Sequence, residues 1–84
     1  TLEVWPQPVP SGTRLHVRIG GRSGTDCRIT LHDLLGRERL SQELEAGHTT
    51  TIDLGTAQLN AGVYLLRAVS EDGAQAVRMV SVVR

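Results

Sequence analysis

The stretch Leu59-Asn60-Ala61-Gly62-Val63-Tyr64-Leu65-Leu66-Arg67 constrains this chain more than any other. Asn60-Ala61-Gly62 is a turn signal, and a strand must follow it. From Val63 to Val69 apolar residues occupy both alternating sets: Val63, Leu65 and Val69 on one, Tyr64, Leu66 and Ala68 on the other. A half-exposed strand would show one polar face. Two apolar faces predict a strand in the middle of the structure, covered on both sides.

The remaining segments supply candidate cover. Leu15, Val17 and Ile19 alternate with Arg14, His16 and Arg18; Cys27, Ile29 and Leu31 alternate with Arg28, Thr30 and His32. Both patterns are those of strands with one wet face. Glu3 to Trp5 reads as a short first strand, and Trp5 to Pro10, with proline at every second position, as extended polyproline-like chain at an edge or on the surface. Gly20 to Gly24 is a loop. Asp33-Leu34-Leu35-Gly36-Arg37 is a tight turn, with Asp33 accepting from the amides ahead of it and Gly36 in a left-handed position. A strand from Arg37 to Leu44 completes that hairpin. His48 to Leu54 is a strand with Thr50, Ile52 and Leu54 on one side, and Gly55 to Leu59 a crossover with room for one helical turn. Ser70 to Gly73 is a hairpin loop before a last strand, Ala74 to Val83. Seven short strands separated by turns predict an all-β fold, two antiparallel sheets packed face to face.

Composition narrows the function classes. At 84 residues the chain makes one domain, residues 1–84. Trp5 and Tyr64 are its only aromatics, so the core must be aliphatic. One cysteine excludes an internal disulfide. Nine basic residues balance nine acidic ones, and no charge run offers an electrostatic footprint for nucleic acid. The chain begins at Thr1 without Met and is read as a piece of a longer protein.

Four motifs follow one another in order: Trp5-Pro6-Gln7-Pro8; Asp33-Leu34-Leu35-Gly36-Arg37-Glu38; Leu59-Asn60-Ala61-Gly62-Val63-Tyr64; and Arg78-Met79-Val80 near Arg84. Together they closely resemble the C-terminal sorting domain (type A) of cargo exported by the type IX secretion system of Bacteroidota. The resemblance spans nearly the whole chain. It implies an immunoglobulin-like β-sandwich at the end of a secreted or cell-surface protein, following an N-terminal cargo domain. It further implies that the outer-membrane translocon reads the domain as an address. A sortase-like peptidase then removes it at a site before Thr1, and the cargo is released or joined to anionic lipopolysaccharide. Two departures stand out. The family's first motif usually reads Tyr-Pro-Asn-Pro, where this chain has Trp5 and Gln7, and arginines at 78 and 84 take the place of the family's usual lysines.

On this reading Trp5, Pro6, Pro8, Asp33, Gly36, Gly62 and Tyr64 are structural, with Trp5 packing over an open end of the sandwich. Leu59-x-x-Gly62-x-Tyr64 has the form of the tyrosine corner of Ig-like sandwiches. Partner recognition falls to Arg78, Met79, Val80, Val82 and Arg84, on a last strand whose free edge a receptor strand could join. Open edges could also pair two copies into a homodimer. No catalytic, cofactor-binding or metal residue is assigned. Cys27 lies on an apolar set and reads as a buried thiol. His16, His32 and His48 lack ligand spacing, and no acid, base and nucleophile converge. The competing functions are a carbohydrate-binding or fibronectin-like accessory module of a secreted hydrolase and a plain spacer or adhesion repeat.

Overall fold

The computed structural model describes residues 2–21, 24–55 and 59–84. Its strands are β1 (Leu2–Trp5), β2 (Val9–Pro10), β3 (Arg14–Ile19), β4 (Asp26–Asp33), β5 (Glu38–Glu45), β6 (Thr49–Asp53), β7 (Gly62–Ser70) and β8 (Gln75–Val83). They form a three-stranded sheet, β1-β3-β6, facing a five-stranded one, β2-β8-β7-β4-β5. The alternating apolar sets meet between the layers: Leu15 and Val17 of β3, Ile29 and Leu31 of β4, Leu66 of β7 and Val80 of β8 are all fully buried. Burying each such side chain contributes about 1.5–3 kcal/mol, and among the described residues no polar or charged residue is buried.

Local chemistry fixes the corners. At the β4–β5 turn, Asp33 Oδ1 accepts from the Leu35 and Arg37 amides at 2.9 and 3.0 Å. Gly36 adopts φ +82°, where an L side chain is strained. The Tyr64 hydroxyl donates to the Asn60 carbonyl at 2.7 Å, tying the entry of β7 as a tyrosine corner does. Side chains stitch the two sheets together along both long sides: Gln42 of β5 donates to Thr50 Oγ1 of β6, and Arg78 of β8 to the Leu2 carbonyl of β1.

Four expectations need correction. β7 is covered on one face only. Tyr64, Leu66 and Ala68 point into the core, while Leu65 (38 % exposed) and Arg67 face solvent. In two layers even a laterally central strand has one outer face; Arg67, on the same set as Leu65, marks it. Second, the proline run is not simply extended. It bends, with cis peptide bonds at Trp5-Pro6 and Gln7-Pro8, and seats Val9 in the core as an eighth strand. Third, β2 pairs with β8 in parallel, so the ladders are not all antiparallel and the C-terminal half of β8 has a neighbour on its outer side. Fourth, Trp5 lies on the outer face of β1, stacked on His16 at 5.5 Å, not over an end of the sandwich. Of the crossover expected from Gly55 to Leu59, residues 56–58 lie outside the described residues, as do 22 and 23 of the glycine-rich loop.

Candidate recognition surface

The last strand is where the expected recognition residues sit, and its two faces and one edge offer different chemistry. Met79 is 61 % exposed on the outer face, beside Val77 at 56 %. Across the ladder Met79 pairs with Leu65, and Val77 with Arg67. The result is an apolar strip on β7 and β8 with an arginine in its midst, held by a bond from Arg67 to Gln75 Oε1 at 2.8 Å. Arg84 is exposed at the chain's end. Val80 and Val82 are 0 % and 2 % exposed. Their side chains build the core and a partner of the folded domain cannot touch them, which corrects their expected role. Leu65 and Val77 are the exposed apolar neighbours of Met79 on the outer face, and their alternation with Leu66 and Val80 was the signal that could have found them.

The edge of β8 is partly closed by a side chain. Gln7, held between two prolines, accepts from the Ser81 amide at 3.2 Å and donates through Nε2 to the Met79 carbonyl. Its carboxamide thus stands where the peptide group of a neighbouring strand would be. β2 continues the cover along Val82 and Val83. Within the described residues no strand pairs with the outer edge from Gln75 to Arg78. The free edge is therefore half as long as a bare last strand would offer.

Beside this edge a groove of about 590 Å³ runs between β1 and β8, lined by Glu3, Val4, Trp5, Gln7, Arg78 and Met79. Its walls mix apolar surface with one carboxylate and one guanidinium. The sequence motif Trp5-Pro6-Gln7-Pro8 and the motif Arg78-Met79-Val80 thus meet in space, although 69 residues lie between them. The other motif residues do not line this groove, but they adjoin the last motif across the sheet: Asp33 pairs with Tyr64, and Tyr64 with Val80. Asp33 and Gly36 form the β4–β5 turn, and Gly62 and Tyr64 the entry to β7.

Titration marks two other places. Partial desolvation raises the Asp33 pKa, but hydrogen bonds from the Arg37 amide and guanidinium and the Leu35 amide outweigh it and hold it below the ordinary carboxylate value. Burial, and then the charges of Asp72, Asp26 and Glu71, push the Cys27 thiol up. That thiol faces a smaller hollow of about 160 Å³ beside Gly20, Gly21 and Ala46, where a neutral sulfur is favoured over a nucleophilic thiolate. Among the described residues no three His, Cys, Asp or Glu side chains group to hold a metal ion.

Comparison with known proteins places this geometry. The crystal structure of a DUF3244 family protein with an immunoglobulin-like β-sandwich fold, from Bacteroides vulgatus ATCC 8482, superposes with a TM-score of 0.68. The overlap covers 96% of this chain and 92% of that one at 16% identity, a likeness of fold. A comparison with curated proteins finds no match. Residues 3–82 match the family described as the secretion system C-terminal sorting domain, a span that takes in all four motifs apart from Arg84. The chain belongs to that family, the C-terminal sorting domains of type IX secretion, which mark proteins for export to the cell surface or beyond.

Proposed function

We propose that the domain is a non-catalytic address at the end of a longer secreted protein. An outer-membrane translocon binds it and carries the preceding cargo across. A sortase-like peptidase then cuts before the domain, and the cargo is released or joined to lipopolysaccharide. The family match over residues 3–82, which takes in strands of both sheets, is the observation that supports this reading. The exposed strip of Leu65, Val77 and Met79, with Arg67 among them, offers apolar contact and one positive charge on the outer face of β7 and β8.

Deleting residues 80–84 would be a poor test, since Val80 and Val82 are core residues. Surface changes separate recognition from folding. With Val77→Asp and Met79→Asp on a reporter fusion, export should fall severalfold while the melting temperature of the isolated domain stays within a few degrees of the parent. Normal export by this double variant would remove the outer strip from the account.

A further inference from the structure

The groove between β1 and β8 holds an aromatic face that the sorting role does not use. Trp5, the chain's only tryptophan, stands on the outer face of β1 with 40 % of its surface exposed. His16, its cross-strand partner, stacks on it at 5.5 Å with the ring planes 16° apart. Among the described strands only β3 pairs with β1, so His16 covers the indole face turned toward β3 and leaves the opposite face to the groove that Trp5 lines. The stack also holds the ring in place, so little freedom is lost when a ligand settles on it.

Much of the backbone along this groove is already bonded. Arg78 Nε donates to the Leu2 carbonyl at 2.8 Å on the β1 side. On the β8 side Gln7 holds the Ser81 amide and the Met79 carbonyl. An added peptide strand would therefore find few consecutive groups to pair with on either edge. Side chains remain open instead. Glu3 has no ion pair or side-chain hydrogen bond among the described residues, and neither do the Nη groups of Arg78 or the indole N–H of Trp5. Glu3 and Trp5 lie two residues apart on one face of β1, about 7 Å along the strand. A ring lying on the indole brings the hydroxyls of its rim toward the carboxylate.

These groups select by charge and by shape. An anionic ligand would meet Glu3, and a cationic one Arg78. A neutral polyol uses both, donating to the carboxylate and accepting from the guanidinium. A pyranose ring with equatorial substituents also presents a flat face of C–H groups, polarised positive, to the negative face of the indole. Equatorial linkage keeps that face flat along a chain of rings. The groove, about 590 Å³, falls within the range of about 300–1,000 Å³ usual for small-molecule sites. We propose that it binds a neutral β-linked oligosaccharide, with one pyranose ring stacked on Trp5 and its hydroxyls bonded to Glu3 and Arg78. A single ring on a shallow wall gives affinity in the millimolar range. The inference does not rest on the secretion reading.

Trp5 reports on its own site. Titration of the protein with cellotetraose, xylotetraose and chitotetraose should change its fluorescence saturably for at least one of them. Sorbitol, which carries hydroxyls but no flat ring, should have no such effect. Glu3→Gln, on the surface, should keep the parent's melting temperature and weaken binding about tenfold, as loss of a bond to a charged group does. Trp5→Leu removes the reporter, so amide NMR shifts at Glu3, Val4 and Met79 read that variant; the saccharide-induced shifts should vanish with the fold intact. No response to any of the three oligosaccharides would overturn the proposal. So would binding that survives both substitutions, or a response to phosphocholine as strong as that to the sugars, which would make the groove a site for a zwitterion.

Discussion

Replacing Gln7 by alanine removes two hydrogen bonds and nothing else of substance, because the side chain lies on the surface. Each bond contributes about 0.5–1.5 kcal/mol net, and the freed Ser81 amide and Met79 carbonyl can turn to water, so the loss should total about 1–2 kcal/mol. With roughly 2.1 cal/mol/K of unfolding entropy per residue and 84 residues, the melting temperature should drop about 6–11 °C. The specific signature is local: the Ser81 amide should exchange with deuterium much faster, while the amides of Val80 and Val82, bonded into the β7 ladder, change only with global stability. Gln7→Glu should be at least as damaging, since a carboxylate can accept from Ser81 but places negative charge against the Met79 carbonyl. Thermal melting followed by circular dichroism and residue-resolved hydrogen exchange would read both effects. An unchanged melting temperature, with Ser81 exchanging at its original rate, would refute the idea that this carboxamide stands in for a strand.

Three further outcomes follow. Gly36→Val should cost about 2–3 kcal/mol, because φ is +82° and the open space around the position makes the penalty one of backbone strain; Gly36→Asn should cost far less, and equal melting temperatures would sink the turn geometry. The folded-state pKa of Asp33 is depressed, so its stabilisation is complete above the unfolded value of about 4 and is lost as pH falls through the lower folded value; the gap in melting temperature between the parent and Asp33→Asn should close on acidification, and a gap independent of pH would contradict this. Cys27 should react with a thiol reagent only in step with denaturant unfolding, and prompt labelling of the native domain would show that its burial is wrong.

How much of this was readable from the chain depends on which interaction decided each element. Period-two alternation depends only on which face is wet, so β3, β4 and β6 and their core residues were legible. So were the Asp33 turn and the Tyr64 corner, where a side chain bonds its own neighbourhood. β7 misled because apolar residues on its outer set looked like a second buried face. Their burial depends on how many layers the fold has, which no local pattern states; Arg67 was the local clue. The cover over β8 was invisible for another reason. Gln7 and Ser81 are far apart in the chain, and a carboxamide acting as a strand has no periodicity to detect. Of the expected recognition residues, Arg78, Met79 and Arg84 reach the surface, whereas Val80 and Val82 obey the same alternation that buries Ile29 and Leu66.

The central claim is that this sandwich is a self-sufficient export address. Residues 1–84 fused behind a neutral, folded reporter, expressed in a cell with a working type IX translocon and in one without, test it most directly. The account predicts reporter at the cell surface or in the medium of the first and trapped in the periplasm of the second. Reporter retained in the periplasm of both, with the domain folded, would contradict it.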